Sequence, residues 1–300
     1  ACMGEFVGEG AEHGILCEGF HIGDVVNAGV DVLFDSLAVN TVVKNGVCDG
    51  VIVENKTGRT YYRSKVVIDT TGDLDIMFRS GCTSELGKNY LTFVGYQNSI
   101  EDFEKVKKEN NIIFSRRWIT SGSNLWGKGH PDDFPKLSGT TAQEVTEFVL
   151  AGRKMFFENC KEKDRKLNDV SVLPSMAQFR TTRRLVGDYT LTEDDKGKFF
   201  SDSIGCVCDF SKPGELYEIP YRTLYQSEFS NLLTAGRTIS SAGWAWEVTR
   251  VIPVAILTGQ AAGIAASLAI KNKSAVKNVS VDELQTVLKN NNIILHCDER

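Results

Sequence analysis

The eight cysteines include no C-x-x-C pair and no zinc-type spacing, and nothing at the start of the chain reads as a secretory signal. These absences argue against a zinc module or a disulfide scaffold. They set the expectation of a reduced, cytoplasmic protein with mostly inert, buried thiols and no metal. Cys206-Val207-Cys208, too closely spaced for a zinc-type ligand set, is likewise not expected to be a metal pair. A basic excess is lacking as well: 34 Lys and Arg stand against 39 Asp and Glu, a formal charge of -5. Nucleic acid and anionic membranes are therefore not expected partners, and any anion site must be local.

What is present is a globular composition, 42% hydrophobic and 24% charged, long enough for one large or two ordinary domains. The most organised stretch covers residues 231–271. Leu232-Leu233-Thr234-Ala235 reads as a buried strand that stops at Gly236-Arg237. After a Ser/Gly/Trp loop and Arg250 come about twenty uncharged residues that read as one helix, with Pro253 in its first turn. Ala255, Gly259, Gly263 and Ala266 recur at helical spacing and leave one face almost bare. By length the helix suits either a membrane or a buried core. Pro253, Thr258, Gln260, Ser267 and the many Ala and Gly make it weakly apolar for a span. A strand, a glycine turn and a helix N-terminus together can bind an anion through unpaired N–H groups and the helix dipole.

Upstream, residues 30–35 and 37–43 read as strands, Asn45-Gly46 as a hairpin turn, and residues 47–54 and 60–64 as further strands of a β-meander. Lys65-Val66-Val67-Ile68-Asp69 is then a continuous strand running into Thr70-Thr71-Gly72-Asp73, with Asp73 expected to cap a helix over residues 74–80. This repeats the plan of a buried strand ending at a glycine. Two such ends side by side on a parallel sheet would form a crevice at the strand C-termini. Gly8-Glu9-Gly10-Ala11-Glu12-His13-Gly14 is one residue too long for the G-x-G-x-x-G phosphate loop and lacks its flanking strand and helix.

The segment from Val66 to Asp75 resembles the "VVIDATGDGD" segment of the FAD-dependent oxidoreductases, a family related to the fumarate reductase and glutathione reductase flavoproteins. Residues 182–192, Ile219-Pro220-Tyr221-Arg222 and residues 231–266 resemble later signatures of that family in the same order, over roughly Val30 to Leu295. The resemblance implies FAD as cofactor and an α/β fold: an FAD/NAD(P)-binding-type parallel sheet with β-meander, plus an inserted α+β substrate domain. It places Val39 by the adenine and Thr71, Gly72 and Asp73 by the ADP portion. Ala235, Gly236 and Arg237 would lie by the ribityl-pyrophosphate. The helix starting near residues 251–254 would aim at the N1/O2 edge of the isoalloxazine, with Gly259 and Gln260 on the cofactor side. The N-terminal G-x-G-x-x-G unit of the family is not in this sequence. Three alternatives follow: a fragment, completion by a missing segment or a partner chain, or a product that does not hold FAD.

Residues 1–81 and 231–300 are thus expected to form the FAD-binding-type domain, and 82–230 the substrate or cap domain. Within the latter, residues 100–110 read as a charged helix and 141–166 as an amphipathic one with Val145, Phe148, Val149, Met155 and Phe156 as its stripe. His130 is either an acid/base group near the ring or a turn residue before Pro131. Arg180, Arg183 and Arg184 suit a carboxylate or phosphate substrate, or they pair with Asp188, Glu193 or Asp194. Arg180, Arg183, Arg250 and His130 are the catalytic candidates, with Trp244 and Trp246 as further groups facing substrate or ring. The expected partner is a small, anionic organic molecule exchanging hydride with flavin. A homo-oligomer or a chain supplying the missing unit is the expected assembly. The competing expectation is a cofactor-less or truncated module with a structural role. Residues 281–289 read as a helix capped by Ser280 and residues 293–296 as a last strand, with no evident chemistry at His296 or Cys297.

Overall fold

The computed structural model describes residues 24–174 and 176–299. Gly8-Glu9-Gly10, Cys2 and Cys17 lie outside the described residues. The chain is a mixed α/β protein with several small sheets, and it divides into two compact units. One comprises residues 88–180 with the described residues up to Val32; the other comprises Leu33–Gly87 and the residues from Thr181 onward.

In the second unit, Leu37–Lys44, Val47–Asn55 and Gly58–Arg63 form the antiparallel meander. Its first turn is Asn45-Gly46, both with positive φ, the twist that a tight hairpin requires. Residues 30–35 are not a strand: Asp35 turns left-handed at φ 49°, and the ladder begins only at Leu37, so this run has no strand beside it among the described residues. Val67–Asp69 and Leu232–Thr234 pair in parallel, with Leu232 opposite Val67, Leu233 opposite Ile68 and Thr234 opposite Asp69. Asn231 ties this pair to the meander. Its Oδ1 accepts from the Cys48 N–H at 2.8 Å, and its Nδ2 donates to the carbonyls of Cys48 at 2.7 Å and Lys65 at 3.0 Å.

The helix Ile252–Asn272 covers the pair and the antiparallel hairpin of Ser203–Cys208 and Leu216–Pro220. Its inner face is Val254, Leu257, Thr258 and five alanines, and those short side chains let the hairpin come close. A Cβ on Gly205 would lie only 2.6 Å from the methyls of Leu257. By length and a mean hydropathy of 1.6 the helix would pass for a membrane span. Its inner residues nonetheless share one core with Leu191, Ile204, Ile219, Tyr221 and Leu284, as a globular core helix does. Residues 181–230 therefore contribute to the same core as the 231–271 stretch. The helix Val281–Asn290 begins at Ser280, whose Oγ accepts from the Glu283 N–H. Residues 293–296 run beside Ser203–Cys208 without becoming a strand, contributing one backbone bond from Cys206 N–H to the Ile294 carbonyl.

In the first unit, Thr92–Ser99 is the centre of an antiparallel sheet between Arg117–Gly122 and Asn168–Val172. The helix Ile100–Glu109 is capped by Ser99 and Ala142–Lys161 by Thr141, each cap oxygen accepting a backbone N–H three residues on. Phe148, Gly152 and Phe156 form the inner face of the second helix, and Gly152 lets the Phe93 ring lie against bare backbone. That helix stops at Lys161 because residues 162–167 turn to feed the Asn168 strand.

Candidate functional site at the two strand ends

Beyond Asp69 the chain must turn at once, and Asp69 itself shapes the turn. Buried to 1% exposure, its Oδ1 accepts from the N–H and hydroxyl of Thr71 at 3.0 and 2.7 Å, and its Oδ2 from the Met77 N–H at 2.8 Å. Three donors compensate a carboxylate removed from water. Gly72 follows at φ +79°, a conformation that side chains rarely adopt. Leu74, standing where the resembling segment has glycine, is also left-handed at φ 54° and fully buried. The conformational cost of about 1 kcal/mol is set against full burial of its side chain beside Ile76 and Met77.

Asp73 does not cap the helix Asp75–Arg79, whose N-cap position is Leu74 with no side-chain bond. Its carboxylate is used elsewhere. It accepts from Thr182 Oγ1 at 2.6 Å and from Arg237 Nη2 at 2.8 Å, while Arg237 Nε donates to the Gly72 carbonyl. The end of one strand is thus bonded to the end of the other.

On the opposite strand, Ala235 donates to the Asp69 carbonyl, and Gly236 turns at φ +78° with its N–H donated to Thr258 Oγ1 at 2.9 Å. A Cβ on Gly236 would meet only the Ala255 methyl, at 3.8 Å, so the space above it is open. The Ile252–Asn272 helix begins there with no side-chain cap and no acidic residue in its first turn. Gly259 has open space at its Cβ position, and Gln260 is half-buried. An open glycine beside an uncapped helix start and a guanidinium can receive a phosphate-like anion. Val39 is the bulged residue of its strand, unpaired between Ala38 and Asn40. A separate cavity of about 470 Å3 lies at the other, N-terminal ends of the paired strands, lined by Lys65, Asn231 and Lys273 among others.

The remaining candidates are dispersed. Arg183 is buried; its Nη1 donates to the Asp73 carbonyl and the Asp75 carboxylate, and its guanidinium stacks on Phe78 at 3.9 Å. Its Nε is buried without a partner. Arg184 pairs with Glu85. The expected partners Asp188, Glu193 and Asp194 are thus replaced by Asp75 and Glu85, because Arg183–Leu185 pairs with Ser84–Leu86 as a two-stranded ladder. Arg250 is paired with Glu247 at 2.7 Å. Trp244 donates to Asp209 and Trp246 to the Arg237 carbonyl.

In the first unit, both ring nitrogens of His130 are occupied: Nδ1 accepts from the Leu91 N–H, and Nε2 faces the Phe134 carbonyl, both at 2.9 Å. That places a proton on Nε2 and makes His130 a brace of its loop. Arg180 lines an apolar groove of about 360 Å3 with Tyr96, Trp118, Met176 and Gln178.

Asp69, Thr182 and Thr258 are the positioning residues that the sequence pattern does not disclose. Only the Asp-Thr-Thr-Gly spacing hints at the first, through the tendency of Asp to accept from N–H groups two residues on. Of the thiols, Cys48 and Cys82 are buried, whereas Cys160, Cys206, Cys208 and Cys297 are partly accessible, so burial is not the rule. Burial, with the charges of Asp69 and Glu228 nearby, pushes the Cys82 thiol up to about 12.

The chain matches the family model for FAD-dependent oxidoreductases over residues 21–92 and 92–288, and it belongs to that family, whose cofactor is FAD. No curated protein and no solved structure matches it.

Proposed function

We propose that this protein is a flavin-dependent oxidoreductase that passes hydride between a small, anionic organic substrate and FAD. The observation that carries the reading is the parallel pairing of two glycine-ended strands beside an uncapped helix start, with the space above Gly236 open. FAD supplies the two-electron acceptor when bound. Gly236 leaves room for close approach of a phosphate, and the positive dipole end of the Ile252–Asn272 helix, with no acidic residue in its first turn, favours negative charge there. Asp69 and Thr182 hold the Thr71-Gly72-Asp73 turn, and Asp73 holds Arg237 in place. The unit of residues 33–87 and 181–299 would serve as the FAD-binding-type domain with its paired parallel strands and meander. Residues 88–180 would serve as the inserted substrate domain, a narrower insert than 82–230 because residues 181–230 share the core of the long helix. Arg180 in its apolar groove supports a substrate with a carboxylate and a flat or apolar body. We place the protein in the cytoplasm.

One observation favours a second reading, a scaffold that serves a structural role without cofactor. The Arg237 guanidinium lies 3.2 Å from where a Cβ of Gly72 would be and bonds that residue's carbonyl, so protein atoms already occupy the Gly72 side. Titration with FAD separates the two. Under the first reading the purified chain carries or takes up flavin, with absorbance at about 450 nm. A colourless protein unchanged by added FAD would leave the second.

A further inference from the structure

The C-terminal residues are fastened to the Ser203–Cys208 and Leu216–Pro220 hairpin through one buried carboxylate. Glu218, 2% exposed, accepts from the Phe200 N–H and the Cys297 N–H and faces His296 Nδ1, at 2.8, 3.0 and 3.0 Å. Ser203 Oγ donates to the Leu295 carbonyl at 2.6 Å, and Cys206 N–H to the Ile294 carbonyl at 2.8 Å. Leu295 itself is fully buried. The backbones at both Cys206 and Cys297 are therefore fixed independently of their side chains. Within this frame the two sulfurs touch, Sγ to Sγ at 3.0 Å, although the residues are 91 apart in sequence. Both side chains are partly accessible.

We propose that Cys206 and Cys297 are a redox pair, closed to an intramolecular disulfide by a low-molecular-weight disulfide such as oxidised glutathione. The bonded distance is about 2.05 Å, so closure asks for roughly 1 Å of sulfur movement, which side-chain rotation can supply without moving the fixed backbones. One thiolate attacks a sulfur of the small disulfide, whose other half leaves as a thiolate and takes up the proton that the cysteine lost. The second cysteine, as thiolate, then attacks the protein sulfur of the mixed disulfide and expels the other half, which is protonated in turn. Two protein S–H bonds and one small-molecule S–S bond are lost; one protein S–S bond and two small-molecule S–H bonds form. The protein is oxidised by two electrons and the small disulfide reduced by two. Closure fastens residues 293–297 to the strand whose Gly205 seats Leu257 of the long helix. Cys208, two residues and about 7 Å further along the same face of the strand, opposite Leu216, takes no part.

The test uses the full 300-residue chain, reduced, desalted, incubated with oxidised glutathione, blocked with iodoacetamide and digested without reductant. The expected product is a cross-linked peptide joining Cys206 to Cys297, two hydrogens lighter than its parts and lost on adding dithiothreitol. Cys208→Ser should retain it and Cys297→Ser should lose it. Recovery of Cys206 and Cys297 only as separate alkylated or glutathionylated peptides would overturn the proposal. So would a Cys206–Cys208 link in place of the expected one.

Discussion

Arg237 bridges the ends of the two paired strands: from the turn after Leu232–Thr234 it donates to the Asp73 carboxylate at 2.8 Å and to the carbonyl of Gly72. Removing it leaves the Asp73 carboxylate and the Gly72 carbonyl to share the single Thr182 hydroxyl. Arg237→Ala should cost roughly 1–3 kcal/mol in urea denaturation, the range for breaking a partly buried charged hydrogen bond. It should also lower FAD retention, measured as the ratio of flavin to protein absorbance. A variant with unchanged stability and unchanged flavin content would deny Arg237 its role at the junction.

Gly236→Val combines two penalties, a left-handed φ of +78° and a side chain filling the open space above the glycine. The expected outcome is loss of flavin uptake by at least about tenfold, with the core retained as judged by far-ultraviolet circular dichroism. Equal uptake by the variant and the parent would remove Gly236 from the site.

Asn231 serves both backbone groups of Cys48 and the Lys65 carbonyl from a buried position. Truncating it to Ala strands the N–H and carbonyl of buried Cys48 away from water and releases the Lys65 carbonyl, which predicts a loss of roughly 2–4 kcal/mol. Asn231→Asp keeps the shape but cannot donate, so it should be no better. Thermal denaturation of both variants is the check, and a shift of less than a degree would contradict the stitching role.

How much of this was legible beforehand differs by residue. The meander, its Asn45-Gly46 turn and the two glycine-ended strands are written in local alternation and turn chemistry, and the structure has them where the pattern puts them. What local pattern cannot show is which distant groups meet. Thr182 reaches Asp73 across 109 positions and Asn231 reaches Cys48 across 183, and neither spacing leaves a periodic trace. The same limit misassigns the partners of Arg183 and Arg184, since ladder register with residues 84–86 decides them. Residues 30–35 carry strand-like composition, but a strand also needs a neighbour. Asp73 looks like a cap by position, but a cation and a hydroxyl compete for it more strongly than a helix N–H does.

Glu144 gives a pH-dependent prediction for the first unit. Its carboxylate accepts from Ser138 Oγ at 2.6 Å and from the N–H groups of Gly139 and Thr140, and the Ser138 bond first, ahead of an opposing burial effect, holds its pKa below the ordinary 4.5. A depressed folded-state pKa means the contribution is fully present above about 4.5 and is lost as pH falls through the folded value. Glu144→Gln should therefore lower stability at pH 7 and flatten the acid limb of the stability curve below pH 4.5. If parent and variant lose stability in parallel down to pH 3, the bonds to Glu144 do not contribute.

Cys82, held as a thiol by its surroundings, should resist iodoacetamide at pH 8 in the native protein, because the thiolate is the reacting species. Cys160 and Cys208, partly accessible, should be labelled first. Peptide mapping over time gives the order, and early labelling of Cys82 would contradict it.

The strands that meet at Asp69 and Thr234 stand 165 residues apart. Closing so long a loop is entropically costly, with only three residues of pairing to offset it. On a ribosome the first strand emerges long before its mate exists, so the junction is completed late in synthesis. Until then Asp69 and its turn have only local bonds to keep them, which makes that interval the point at which a chaperone would matter most.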